Sequence, residues 1–296
     1  MPQQANIPYW EKRWQSALDR SPLQRRRLKD GMRRWNKMAA DFVKRTAHPQ
    51  ALTKRQETIQ WLKDQGALAP GARVLDIGAG PGNWSLLLAQ TAAQVTALEP
   101  AEAMAEILER RIEAEGITNI VIDRRTWQAV ALDKDHWQGA FDLVFAAMTP
   151  GIDGPANLYK MTAASCSHCY LSAFAGQGWH RWYGDLWRAV FDESLDGHAN
   201  DIIHPFNLAY AMGYRPGLRF AFWERETDVT REEALQECCT HLEGYTEITD
   251  EIRAKVAAFV DGRCQNGRFK ELRRGCQGMM VWNVNQRVMD ASEVLP

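Results

Sequence analysis

The nine residues Val74-Leu75-Asp76-Ile77-Gly78-Ala79-Gly80-Pro81-Gly82 constrain this fold more than any other stretch, because an apolar strand runs directly into a glycine-rich turn. Asn83 to Ala92 then reads as a helix. Glycines at alternate positions let the backbone turn sharply and let a ligand approach where a Cβ would collide. The helix that follows presents unpaired N–H groups at its start. Strand, glycine turn and helix in that order build a site for an adenosine-containing ligand.

The rest of the chain repeats the strand and helix alternation. Apolar runs at Arg73 to Ile77, Gln94 to Leu98, Asn119 to Asp123, Phe141 to Ala146 and Cys169 to Phe174 read as strands, with helices after the first, second and fourth. Strands resume at Arg219 to Glu224 and Met279 to Val284, separated by helices near Thr230 to His241 and Thr249 to Val260. Such alternation implies right-handed crossovers and a mainly parallel, doubly wound α/β sheet of seven strands. Residues 177–216 break the rhythm. They carry Trp179, Trp182, Tyr183, Trp187, Phe191, Phe206 and Tyr210, too long and aromatic for a simple connection, and read as a helical insertion after the fifth strand.

Two helices precede the first strand. Ser21 and Pro22 suit an N-cap and first helical position, after which Leu28, Met32, Trp35, Ala39 and Phe42 recur at helical spacing. A second helix opens at Thr53 and Gln56 in capping-box spacing and stops at Gly66. The expected organisation is an N-terminal helical cap over residues 1–50 and one domain over 51–296, with the insertion as a lid.

With 296 residues, 45% hydrophobic and 25% charged, the chain can bury a large core without staples. No stretch near the N-terminus is apolar enough for a signal peptide or membrane span, which favours a cytoplasmic protein with no membrane partner. Six cysteines are too few for a disulfide scaffold and read as reduced thiols. Among them Cys166 and Cys169 form a C-x-x-C pair, but the second pair, Cys238-Cys239, is adjacent rather than spaced as in a zinc site, so packing is favoured over metal binding.

Charge is uneven although the net value is −1. Residues 1 to 50 hold twelve Lys or Arg against four Asp or Glu, and residues 224 to 253 hold three against ten. Either the basic face from Arg25 to Lys37 docks a polyanion, or the charges are merely solvated helix faces or one end lying near the other; the second is favoured because surface charge is cheap.

Three cofactor classes use a strand, glycine turn and helix. A triphosphate loop needs Gly-Lys-Ser/Thr, whereas Gly82 precedes Asn83-Trp84. A dinucleotide fingerprint needs G-x-G-x-x-G, and Asn83 stands where the third glycine belongs, which weakens a nicotinamide-dependent oxidoreductase without removing it. Val74 to Gly82, with Asp76 ahead of the glycines, resembles motif I of the class I S-adenosylmethionine-dependent methyltransferases.

The resemblance implies a Rossmann-like fold and S-adenosylmethionine as donor, leaving S-adenosylhomocysteine. It also implies that Asp76, Gly78, Ala79, Gly80 and Gly82 surround the methionine part of the cofactor. Glu99, in Leu98-Glu99-Pro100, would accept both ribose hydroxyls, and Met104 would lie beside adenine. The third strand departs from the family pattern: Arg125-Thr126-Trp127 stands in place of an acidic run, leaving Thr126 to offer a hydroxyl and Trp127 a stacking face. Trp35 to Phe42 is similar to the stretch that folds over the cofactor in small-molecule members, with Asn36 where Asp is usual.

Methyl transfer from a sulfonium is an in-line displacement, so the protein mainly aligns the acceptor and excludes water. The fourth strand ends in Ala146-Ala147-Met148-Thr149-Pro150, without the signature of nucleobase amine methylation and without an Asp to hold magnesium. A small-molecule acceptor and no metal are therefore expected. Transfer to RNA or protein through the basic helix is the alternative, with nucleic acid disfavoured. His180, His204 and Tyr210 are the candidate catalytic groups if the acceptor needs a base.

Overall fold

The computed structural model describes residues 7–26, 31–176, 180–195 and 199–288, with backbone alone at Gly31 and residues 180–182. Eight strands form one sheet: β1 (Arg73–Ile77), β2 (Gln94–Leu98), β3 (Ile120–Asp123), β4 (Phe141–Ala147), β5 (Ser165–Phe174), β6 (Gly217–Thr230), β7 (Cys264–Gln265) and β8 (Arg268–Asn283). The order is β3-β2-β1-β4-β5-β8-β6, with β7 pairing to β8 off this path. The first five strands are parallel. Strand β8 runs antiparallel to both of its neighbours, so β6 points the same way as β5.

The seven expected strands are all present, and β7 is the addition. It closes onto β8 through Asn266 and Gly267, both at positive φ (51° and 73°), as a two-residue hairpin requires. Strands β6 and β8 are much longer than their apolar runs suggest. Their ladder runs from Gly217↔Val281 to Thr230↔Arg268, whereas the pairing of β5 with β8 stops at Phe174↔Gln277. Beyond that level β6 and β8 continue as a free-standing ribbon. Its outer half, Glu224-Arg225-Glu226, is charged and gives no apolar signal.

Helices cover both faces. The N-terminal part contributes α1 (Ile7–Arg20), α2 (Pro22–Arg26), α3 (Gly31–Thr46) and α4 (Pro49–Asp64); then come α5 (Ser85–Ala89), α6 (Glu102–Glu115), α7 (Pro155–Ala164), α8 (His180–Phe191), α9 (Ile203–Ala211), α10 (Arg231–Leu242) and α11 (Asp250–Asp261). The segment read as polar N-terminus thus belongs partly to a helix. It buries Trp14 and Ala17, and the Trp14 indole N–H donates to the Ala199 carbonyl at 3.1 Å. Helix α4 starts at Pro49, earlier than the Thr53 box implied, because His48 Nδ1 accepts from the Ala51 N–H. Helix α5 spans only five residues of the expected ten.

Apolar clusters fill both faces of the sheet, one built around Leu75, Val144 and Leu171 and the other around Val74, Leu143 and Tyr170. A third core lies apart from these. It joins Leu186, Trp187 and Val190 of α8 to Cys238 and Leu242 of α10, Val256 and Val260 of α11, and Phe269 of the ribbon. Part of the aromatic insertion therefore packs against the helical pair carried by the ribbon.

The oppositely charged regions do meet. Lys37 Nζ lies 2.5 Å from Glu243 Oε1, while Arg25 and Arg26 pair with Glu193, outside the acidic stretch. Cys169 is buried and its thiol donates to the Met161 carbonyl, while Cys166 donates to Asp142. Among the described residues no group of three His, Cys, Asp or Glu side chains is placed to hold a metal.

Candidate active site

A cavity of about 820 Å³ opens at the C-terminal ends of β1, β2 and β4, roofed by α3 and α4. The glycine turn forms its floor because the strands bring it there. Gly78, at φ 75°, donates its N–H to the Leu98 carbonyl at 2.8 Å and so ties the β1 turn to β2. A Cβ here would come within 2.1 Å of Thr149 Oγ1. Gly80, at φ 58°, faces open space, which is where a ligand can approach the backbone. Gly82 differs: its Cβ would strike Leu108 Cδ1 at 2.3 Å, so this glycine serves helix packing.

Two carboxylates sit under the turn. Glu99 is 7% exposed and lines the cavity. Its Oε2 accepts from the Gly80 N–H at 2.7 Å and its Oε1 from the Ala101 N–H at 2.8 Å. Burial raises its pKa and those two N–H groups oppose the rise. Each carboxylate oxygen retains a lone pair, enough to accept two adjacent hydroxyls. Asp76 lies deeper, 1% exposed, and accepts from the Ser85 hydroxyl at 2.6 Å. Burial pushes it up to about 7, against the Ser85 bond and with a contribution from the charge of Glu99.

Of the other residues expected at the cofactor, Ala79, Pro100, Met104, Thr126 and Trp127 line the cavity. Thr126 also caps a short turn, accepting from the Ala129 N–H at 3.2 Å, and Trp127 is largely buried with Lys160 over its ring. Ala146 is fully buried one residue short of the cavity, and Ala147 lines it instead.

The residues expected to supply a base are not gathered here. His204 stacks on Trp14 at 6.2 Å between centroids, and Tyr210 is half exposed with Arg215 over its ring. Neither lines the cavity, because α9 packs against the face of the sheet that also holds α1. The side chain of His180 lies outside the described residues, as do Trp179 and the side chain of Trp182.

The structure adds residues that the motif scan passed over. Arg55 of α4 donates to the Thr46 carbonyl at 3.0 Å. Thr46 in turn accepts from Asn83 Nδ2, and Asn83 Oδ1 accepts from Arg111. Burial lowers the pKa of Arg55, and the neighbouring charge of Arg111 lowers it further. A half-buried pair of like charges beside a glycine turn favours an anion near them. The only sequence signal was a basic residue on the helix face next to Ile59 and Leu62. A second cavity of about 270 Å³ meets the first at Met148, Thr149, Pro150 and Asp153, and Trp35 lines both.

A family model described as a methyltransferase domain matches residues 74–166, from β1 through the start of β5. Over residues 74–166 the chain carries a methyltransferase domain, as the class I S-adenosylmethionine-dependent enzymes do. The residues around the glycine turn fit that donor: open backbone at Gly80, an acceptor for a diol at Glu99, and a cationic side chain at Arg55 for a carboxylate.

Other comparisons agree in fold. A proposed methyltransferase from Bacillus halodurans superposes at a TM-score of 0.54 with 13% identity, covering 79% of this chain and 99% of that one. The YcgJ protein of Bacillus subtilis gives a TM-score of 0.50 with 14% identity, over 77% and 97%. Among curated proteins, a 23S rRNA (uracil(1939)-C(5))-methyltransferase of Alkalilimnicola ehrlichii is 32% identical over 124 residues, which span 39% of this methyltransferase but only 27% of the relative's length. An uncharacterized protein of Haemophilus influenzae is 23% identical over 218 residues, covering 72% of this chain and 76% of the other. Among the described residues no helix of the methyltransferase is long and apolar enough to cross a membrane.

Proposed function

We propose that this enzyme methylates a small molecule bound beside the donor in the roofed cavity. The observation that carries the reading is the enclosure itself. Trp35 and Phe42 of α3 and Trp61 of α4 close the top, while Arg219 to Ala221 of β6 wall the side away from the glycine turn. A space of about 820 Å³ matches small-ligand sites, commonly about 300–1,000 Å³.

Within it, the donor supplies a methyl group on a sulfonium that needs no further activation. Glu99 holds the ribose, Met104 and Trp127 flank adenine, and Arg55 takes the donor carboxylate. Asp76 sits beneath the methionine part and, through Ser85, fixes the start of α5. Thr149, packed against Gly78, marks the strand tip where the acceptor must align. Helix α3 of the N-terminal cap excludes water from that end through Met32, Trp35 and Phe42, whereas no described residue of the insertion at 177–216, expected as the lid, lines the cavity. Neither His204 nor Tyr210 is assigned a proton to move. Reduced, sparse thiols accord with a cytoplasmic enzyme.

A second reading, transfer to RNA, draws on the stretch shared with the rRNA methyltransferase. Against it, Arg25, Arg26 and Lys37 of the basic helices are engaged by Glu193 and Glu243. Incubation of the full chain with donor labelled in its methyl group, alongside rRNA and a low-molecular-mass metabolite fraction, separates the two. Label in the small-molecule fraction is expected; label confined to RNA would overturn the proposal.

A further inference from the structure

Most arginines in this protein that carry a charge partner are paired with carboxylates at the surface, but the far end of the active-site cavity is different. Lys54 and Arg219 line it, and neither forms an ion pair among the described residues. The only carboxylate lining that end is Glu57, which is likewise unpaired there. Arg55, the third cation, turns toward Thr46 and the glycine turn. Positive charge is therefore in excess at the end remote from the donor's ribose.

Local structure explains the placement. Lys54, Thr58 and Trp61 fall at helical spacing on one face of α4, and the Thr58 hydroxyl donates to the Lys54 carbonyl. That face packs over Met279, which Thr58 also approaches. Register then brings in the second cation: Arg219 opposes Met279, and Met279 opposes Ser172 at the end of β5. The Arg219 guanidinium lies 4.6 Å from the Trp61 ring centroid. Stacking on an indole holds a guanidinium by its face and leaves its N–H edge for a planar anion. Gln277, which donates to Ser172, and Phe220 complete this end.

We propose that Lys54 and Arg219 form an acceptor subsite for a carboxylate or phosphate on a small aromatic or apolar molecule. It rests on the small-molecule reading above and narrows it: the anion is a handle that places the reacting atom toward Thr149, and Trp61 and Met279 contact the apolar body. Lys54 and Arg219 are both solvent-exposed, so a neutral acceptor costs them little, and the subsite acts by attraction to an anion rather than by rejecting other acceptors.

Calorimetry on the full chain saturated with S-adenosylhomocysteine tests this with four probes: benzoate, phenyl phosphate, benzamide and benzylamine. At least one anion is expected to bind about tenfold tighter than benzamide, with benzylamine weakest. Whichever anion leads identifies the charged group. Arg219→Gln should erase the preference and Lys54→Gln should reduce it, both with unchanged affinity for S-adenosylhomocysteine. Equal binding of benzamide, a preference for benzylamine, no binding of any probe at about 10 mM, or an anion preference that survives Arg219→Gln would overturn the subsite. Failure of the small-molecule reading shows separately, as methyl label found in RNA.

Discussion

The Ala103 backbone N–H donates to Asn36 Oδ1 at 3.0 Å, so helix α6 is capped by a side chain from α3 rather than by its own flank. Ala101, the N-cap residue of α6, has no side chain able to do this. The contact straps the roof of the cavity to the helix that follows Glu99.

Replacing Asn36 should therefore act twice. Asn36→Ala is expected to lower stability by about 1 kcal/mol, the usual cost of a lost N-cap, and to weaken S-adenosylhomocysteine binding by loosening α3. Asn36→Asp retains an acceptor and should restore both. Thermal melts with and without ligand check this; an unchanged melt for Asn36→Ala would remove the cap from the account.

Glu99→Ala should weaken S-adenosylhomocysteine binding by about 1–3 kcal/mol if the carboxylate accepts the ribose hydroxyls. It also orphans the Gly80 and Ala101 N–H groups. Calorimetry with adenosine as a second ligand isolates the ribose contribution, because adenosine should lose affinity in parallel. Undiminished adenosine binding would sink the assignment.

Asp76 gives a pH dependence with a defined sign. Its folded pKa, about 7, lies above the unfolded carboxylate value near 3.8, so the folded state holds the extra proton between them. Stability from this group is full below the lower value and is lost as pH rises through the upper one. Asp76→Asn should flatten the fall in melting temperature of the ligand-free protein between about pH 4 and pH 7. A mutant that retains the wild-type slope would place the titration elsewhere.

Salt should matter little. Phosphate contacts make affinity fall steeply with ionic strength, whereas the basic helices here are engaged with Glu193 and Glu243. Turnover of a small acceptor is expected to change by less than about twofold between 50 and 200 mM salt. Charge reversal at Arg26 should lower stability by no more than about 1 kcal/mol, as for other exposed pairs. A steep salt slope would revive a polyanion partner.

The donor half of the site was legible because its chemistry is local. Gly78, Gly80 and Glu99 are fixed by one turn and one strand end, and spacing along the chain registers both. The roof was legible only in part. Trp35 and Phe42 of α3 line the cavity where the motif resemblance expected them, but Arg55 and Arg219 reach it from α4 and β6, whose approach depends on tertiary packing that no window of sequence records. His204 and Tyr210 looked functional through the aromatic company they keep, but α9 packs beside α1 without bringing either into the cavity, and such company there is ordinary core. The ribbon was underestimated for a related reason: its outer half is mostly charged, with Val229 and Phe269 too isolated to read as an apolar strand, and its length comes from pairing between β6 and β8. Asn266-Gly267 was the one local signal there, a hairpin turn in plain view.

That ribbon leaves and rejoins itself at facing residues, Thr230 and Arg268. Everything between them, the α10 and α11 pair with β7, is topologically a loop on a hairpin. Its length and sequence can change without altering strand order, and the donor site is spared provided the contact of Glu243 with Lys37 on the roof helix α3 is kept. Grafting a different helical pair at Thr230 and Arg268, with α8 recut to match its core, is a route to new acceptor preferences on an unchanged donor scaffold.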